Sequence, residues 1–260
     1  MKPLIIANWK MNPASAAAAR GLFGNIRRGL ATVRGVEVVI APPFPYLALF
    51  RPSGKVKLAA QDVFWAERGA YTGEVSSRML KDLGVRYVII GHSERRRIFG
   101  ESDETVNRKT RATLAVGLTP IIAVGEDQPD SEAVVPSVIA EQLSRAIRGI
   151  PPRRCRGIVV AYEPVWAIST TLGAKPDTPD NATRRALYIR KLIMKMLPRR
   201  TADTIRVIYG GSVNAKNGAE FISRDIRGME GLLVGGASLD AEEFVAIVKS
   251  VARQTNRRRE

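Results

Sequence analysis

Thiol and imidazole are nearly absent from this sequence: its 260 residues include one cysteine, Cys155, and one histidine, His92. A lone cysteine closes no intrachain disulfide, and the two residues together are too few for a zinc site of the Cys/His type, so the chain reads as a reduced, cytoplasmic protein without a metal. Long hydrophobic runs are missing as well. No stretch approaches the roughly 18 apolar residues that cross a membrane. The apolar run Leu4–Ala7 stops at Asn8 and Lys10, well short of a signal-peptide core. Nor does a glycine-rich phosphate turn follow that first run. Asn8-Trp9-Lys10-Met11-Asn12 stands where Gly-x-Gly-x-x-Gly would open a doubly wound nucleotide-binding sheet.

Negative charge is scarce: 25 Asp+Glu against 41 Lys+Arg give a formal net charge of +16. Such a field steers an anionic substrate, holds nucleic acid, or is no more than a basic solvated surface. The basic residues are scattered, with short runs only at Arg95–Arg97, Arg199–Arg200 and Arg257–Arg259. No aromatic-interleaved patch accompanies them, so neither nucleic acid nor a membrane is the expected partner.

What is present is an alternation. Eight short, β-branched runs read as strands buried on both faces: Pro3–Ala7, Glu37–Ala41, Lys57–Gln61, Tyr87–Gly91, Thr119–Val124, Gly157–Tyr162, Ile205–Tyr209 and Gly231–Val234. Segments with helical spacing lie between most of them, such as Glu104–Val116, Ser131–Ile147, Pro179–Leu197 and Asp240–Val251. Capping signals stand at Ser76 and at Thr178-Pro179. Asp127–Ser131 and Gly149–Cys155 read as loops. Each pair of strands is separated by enough chain for a parallel crossover, which predicts an α/β fold: a single (β/α)8 barrel, eight parallel strands ringed by helices. One domain is expected over 1–253, with a mobile basic tail at 254–260.

Active sites of such barrels lie at the carboxyl ends of the strands. The polar residues there are Asn8 and Lys10 after the first strand, Gln61 after the third, His92, Ser93 and Glu94 after the fourth, Glu126 after the fifth, Glu163 after the sixth and Ser212 after the seventh. Gly210-Gly211 and Gly235-Gly236 follow the seventh and eighth strands, where close backbone approach builds phosphate sites. The inventory holds a carboxylate base, an imidazole, a cation and glycine N–H groups. It shows neither a metal cluster nor a nucleophile–base triad, which argues against metal-assisted hydrolysis and acyl transfer. It suits proton abstraction beside a carbonyl on a small phosphorylated substrate.

The segments Asn8-Trp9-Lys10, Gly91-His92-Ser93-Glu94-Arg95-Arg96, Ala161 to Ile168, Tyr209-Gly210-Gly211-Ser212-Val213 and Leu233 to Leu239 strongly resemble the triosephosphate isomerases. They occur in the same order over essentially the whole chain. The resemblance implies a TIM barrel that interconverts dihydroxyacetone phosphate and D-glyceraldehyde 3-phosphate through an enediolate, in glycolysis and gluconeogenesis, with no cofactor. It implies that Glu163 is the base, His92 the neutral electrophile, and Lys10 the oxyanion-stabilising cation with Asn8 beside it. Glu94 would orient Lys10 or Ser93. Gly210, Gly211, Ser212, Gly235 and Gly236 resemble the phosphate grip, joined by the N–H of Ser169 from a lid over 164–178. Arg68–Glu74 resembles the interdigitating loop, which implies a homodimer with Tyr71 and Thr72 reaching the neighbouring subunit.

The sequence departs from that family in its lid. Ser169 and Thr171 replace two glycines, Leu172 replaces a lysine, and extra residues precede Thr178-Pro179. Ala123 replaces a cysteine with an expected effect on packing, and Glu230 stands where aspartate is common. Two alternatives therefore accompany the isomerase reading. One is a degenerate isomerase whose altered lid and Arg-rich tail mark a polyanion-binding protein; the other is a different phosphosugar isomerase on the same barrel.

Overall fold

The computed structural model describes residues 1–50, 56–128, 137–168, 173–222 and 228–256. Eight parallel strands pair in chain order and close on themselves: β1 (Leu4–Asn8), β2 (Glu37–Ala41), β3 (Val56–Ala60), β4 (Tyr87–Ile90), β5 (Thr119–Val124), β6 (Val159–Tyr162), β7 (Arg206–Tyr209) and β8 (Gly231–Val234). The closing seam sets Leu4–Ala7 against Gly231–Val234. Around them run α1 (Ala16–Gly29), α2 (Phe44–Leu47), α3 (Ser77–Asp82), α4 (Ser93–Phe99), α5 (Asp103–Ala115), α6 (Ser137–Ile147), α7 (Pro179–Met196), α8 (Arg199–Ala202) and α9 (Ala241–Asn256).

The strands are buried on both faces because their alternate residues serve two cores. Leu4, Ile6, Val39, Ile89, Ile121 and Ile208 belong to the barrel interior. Ile5, Val38, Ile40, Val88, Ile122 and Val207 face outward into the layer beneath the helices. No polar alternation is left to read in such a strand, and the apolar run is its signature.

The differences from the sequence reading lie at element ends. β3 sits one residue earlier than expected and releases Gln61, whose Nε2 donates to the carbonyls of Lys10 (2.8 Å) and Ala41 (2.9 Å). A side chain thus takes the place of strand ladder bonds. β6 begins at Val159 because Gly157 has φ +78 and makes a turn. The expected loop Gly149–Cys155 contains a 3-10 turn over Pro152–Cys155. The start of the expected helix at Ser131 and the end of the Asp127–Ser131 loop lie outside the described residues. α9 runs through Asn256, so Gln254–Asn256 are helical, and 257–260 lie outside the described residues. Ser76 and Thr178 cap α3 and α7, their hydroxyls accepting the N–H of Met79 (3.4 Å) and Asn181 (3.1 Å).

At the amino end of the barrel Glu37 joins three other strands. It accepts from Lys57 (2.6 Å), from the Tyr87 hydroxyl (2.5 Å) and from Arg206 (2.8 Å), and Arg206 also donates to Tyr87 at 3.1 Å. Burial pushes the Glu37 carboxyl up. The hydrogen bonds from Lys57, Tyr87 and Arg206 outweigh that burial and hold it at about 2. Among the described residues no helix is long and apolar enough to cross a membrane.

Candidate active site

At the opposite, carboxyl end, a cleft of about 500 Å³ is lined by Asn8, Lys10, His92, Glu163, Ser212 and both glycine pairs. These residues come from the ends of five strands. Asn8 closes β1, and its Oδ1 accepts the Lys10 N–H at 3.1 Å. Lys10 follows in the left-handed region at φ +51, the one non-glycine residue there among the described residues. That backbone turn carries its ammonium to Glu94, where Nζ meets Oε1 at 2.6 Å. Of the two partners expected for Glu94, Lys10 is the one in contact.

His92 is the N-cap of α4, and its Nδ1 accepts the backbone N–H of Glu94 at 3.2 Å. An acceptor nitrogen has a free lone pair, so the ring proton belongs on Nε2. Nε2 faces the cleft and stands 3.4 Å from Glu163 Oε1. The next residue of α4 holds the base: the Ser93 N–H donates to Glu163 Oε2 at 2.9 Å. Glu163 is only 2% exposed, and its Oε1 has no hydrogen-bond partner among the described residues. A carboxylate with one oxygen held and the other unsatisfied is poised to accept a proton.

Glycine lets the backbones around Glu163 approach this closely. A Cβ on Gly125 would lie 1.8 Å from the Glu163 carbonyl oxygen, and one on Gly210 would lie 2.9 Å from Glu163 Cγ. On the far wall, a Cβ on Gly235 would stand 3.4 Å from Lys10 Cε, so the Lys10 side chain passes in front of that glycine. Gly236 opens a 3-10 turn over Gly236–Leu239.

The chain leaving β6 is fastened on both sides. The Trp166 indole donates to Glu126 at 3.1 Å, and the Tyr162 hydroxyl donates to the same oxygen at 2.7 Å. Burial nonetheless raises the Glu126 carboxyl above its ordinary range. The Ala167 carbonyl accepts the hydroxyl of Ser212 at 2.7 Å and its N–H at 3.2 Å.

A family model described as triosephosphate isomerase matches residues 3–251. The chain is 46% identical over 251 residues to the triosephosphate isomerase of Moorella thermoacetica, covering 95% of this chain and 98% of that one. It is 42% identical over 252 residues to the enzyme of that name from Carboxydothermus hydrogenoformans, with the same coverage. With the Pelobacter propionicus enzyme it shares 44% over 256 residues, covering 95% and 97%. The chain belongs to the triosephosphate isomerase family.

As a triosephosphate isomerase family member the chain is an isomerase, and the described lining of the cleft includes every catalytic and phosphate-binding residue assigned above except Glu94 and Ser169. Glu94 stands just behind Lys10. Ser169 lies outside the described residues, as do Thr171 and Leu172. Tyr71 and Thr72 lie elsewhere, on the loop after β3: Thr72 is exposed, while the Tyr71 ring rests on Phe64 with centroids 4.5 Å apart. The sequence reading missed Asp177 and Lys175, which also line the cleft. The signal available for Asp177 was an acid directly before a Thr-Pro helix start, a pattern shared by many exposed loops.

Proposed function

We propose that this triosephosphate isomerase family member interconverts dihydroxyacetone phosphate and D-glyceraldehyde 3-phosphate, as a step of glycolysis and gluconeogenesis, with no metal or organic cofactor. Glu163 removes a proton from the hydroxyl-bearing carbon. The C–H electron pair becomes the carbon–carbon double bond, and the carbonyl oxygen takes up negative charge. His92 Nε2–H donates to that oxygen, and the Lys10 ammonium lies close enough to share the charge, with Asn8 fixing the turn that brings it there. The protonated Glu163 then returns its proton to the neighbouring carbon, while a hydroxyl proton crosses between the two oxygens by way of His92. Glu94 serves as the partner that sets the Lys10 ammonium in place.

The substrate phosphate falls to the backbone of Gly210, Gly211, Ser212, Gly235 and Gly236, with Ser169 contributing from the lid; the N–H groups of Gly210 and Ser212, which donate to the carbonyls of Tyr162 (2.7 Å) and Ala167 (3.2 Å), must leave those partners to join it. The Arg68–Glu74 loop pairs two copies of the chain, so that Tyr71 and Thr72 meet the neighbouring subunit in the cytoplasm.

One observation carries this reading. An imidazole whose Nδ1 is committed to a helix N–H presents Nε2–H within 3.4 Å of a buried carboxylate that lacks a partner on one oxygen. The test is turnover of D-glyceraldehyde 3-phosphate by the purified protein beside Glu163→Gln. Turnover in the parent and a fall of at least about 100-fold in kcat in the variant are expected. Equal rates in the two proteins would overturn the assignment of the base.

A further inference from the structure

The sequence scatters its arginines, and on that ground no nucleic-acid partner is expected; the fold gathers many of them at one end. Residues 145–206 carry 14 Lys+Arg against 4 Asp+Glu, a net +10 out of the chain's +16 in less than a quarter of its length. In a barrel whose strands all run the same way, every turn that leads into a strand lies at the amino end, opposite the cleft. Arg86 stands directly before β4, Arg111 near the end of α5 and Arg148 just after α6. Arg153 and Arg154 lie in the 3-10 turn before β6, and Arg200 in α8 before β7. All six are exposed. The pairing of β4, β5, β6 and β7 in chain order makes these turns neighbours. They also touch: Arg111 Nη2 donates to the Arg148 carbonyl at 2.8 Å, Arg86 Nη1 reaches the Gly117 carbonyl at 3.5 Å, and the Pro152–Cys155 turn packs on α8. With packed helices about 8–10 Å apart, the four turns form a crescent about 30 Å long.

The charge on this crescent is not cancelled. Among the described residues none of the six arginines has a carboxylate within ion-pair distance. The hydrogen bonds of Arg86 and Arg111 go to neutral carbonyls and to the Asn107 amide oxygen (2.9 Å), which fix a guanidinium without neutralising it. The exposed acids beside them are Asp82 and Asp203, and Asp203 answers Arg199 at 3.7 Å. At the same end, the Glu37 carboxylate is already met by two cations, Lys57 and Arg206. A surface of this sign and length matches a polymer of phosphates. Rings for stacking unpaired bases are not on it: Tyr71 and Phe99, the exposed aromatics among the described residues, follow β3 and β4 at the carboxyl end. Nor does an exposed large apolar residue stand on these turns to enter a lipid headgroup layer.

We propose that the amino end of the barrel is a docking surface for double-stranded nucleic acid, held through its phosphate backbone without reading its sequence. The crescent is about as long as one turn of duplex, about 34 Å. Guanidinium groups make paired hydrogen bonds with phosphate oxygens, and each phosphate neutralised releases counterions. With base edges untouched, affinity depends on salt and not on sequence. The cleft faces the other way, so docking and triose phosphate turnover proceed on one molecule without competing.

The test is fluorescence anisotropy of a labelled random-sequence DNA duplex of about 20 base pairs, titrated with protein at salt concentrations from about 50 to 200 mM. Arg153→Glu/Arg154→Glu/Arg200→Glu is compared with Arg20→Glu/Arg27→Glu/Lys249→Glu, which makes the same charge change at exposed positions of α1 and α9, across the barrel. The parent should bind at about micromolar concentration in the lower salt, with log affinity falling against log salt at a slope of about −4 to −5. The crescent variant should lose at least about 30-fold in affinity and flatten that slope by about 3, while the control stays within about threefold. Arg153→Gln/Arg154→Gln/Arg200→Gln, which removes charge without reversing it, should lose about tenfold. Tm and isomerase turnover are read alongside, and both should match the parent, since none of these residues lines the cleft. Equal losses in the crescent and control variants would reduce the binding to overall charge and overturn the proposal. So would a parent that does not bind, tighter binding to the single strand of the same sequence, or tighter binding to vesicles of phosphatidylcholine and phosphatidylserine.

Discussion

At the scale of single residues, the cleft depends on where side chains are missing as much as on where they are present. Gly125 is the sharpest case, since a methyl group there would lie 1.8 Å from a backbone oxygen of Glu163 that has no way to yield except by moving the base. Gly125→Ala should destabilise the protein by at least about 2 kcal/mol and lower kcat. Urea denaturation and a steady-state assay check both. Gly236→Ala is the control for stability, because a Cβ there meets nothing within 4 Å. Parallel losses in the two variants would show that close approach is not the cause. Residue identity along the rim was legible in the sequence, because strand ends can be located and few polar types occur at them. The place of Asp177 in the cleft lining was not: it depends on how the chain before α7 folds back.

At the scale of elements, all eight strands were legible as apolar runs, and β2, β5 and β8 to the residue, while the ends of the other five were not. The sequence reading continues β3 through Gln61, yet the amide side chain there reaches back to two carbonyls and ends the ladder one residue early. Composition does not distinguish a strand's last residue from a side chain that imitates one. The Glu37 cluster was equally hidden, since its four members belong to four strands and meet only when the barrel closes. Its electrostatics carry a definite pH dependence. The Glu37 carboxyl is held at about 2 in the fold against an ordinary 4.5, so the native state binds fewer protons than the unfolded chain between those values. The stability this contributes is present above about pH 4.5 and is lost as pH falls toward 2. It is of order 2 kcal/mol, since the group is largely enclosed. Urea titrations of the parent should therefore weaken more steeply across that window than those of Glu37→Gln, which is less stable at neutral pH. Matching slopes in the two proteins would remove Glu37 as the source.

At the scale of the whole molecule, the charge scattered along the sequence is partly gathered by the fold. The 3-10 turn carrying Arg153 and Arg154 packs on α8 with Arg199 and Arg200, and both precede strands, so they sit at the end of the barrel away from the cleft. Assembly belongs to this scale too. The Tyr71–Thr72 loop leaves Tyr71 nearly half exposed, and Met11, Ile98 and Phe99 are exposed further still. Sedimentation should find a particle of twice 28.5 kDa, and Tyr71→Glu with Thr72→Glu should shift it toward the monomer. A parent that sediments as a monomer at micromolar concentration would remove the pairing.

The seam between β1 and β8 bears on how the protein is made. Leu4 leaves the ribosome well before its register neighbour Gly231, which lies 227 residues further along the chain (231 minus 4). Until Gly231 arrives, β1 offers an unpaired edge of five buried-type residues to anything in the cell that adds a strand. The final fit is tight, since a methyl group on Gly231 would lie 2.1 Å from the Leu4 carbonyl oxygen. A nascent chain of this sequence must therefore carry β1 unfinished while every strand between it and β8 is made, and the barrel exists only once β8 has emerged.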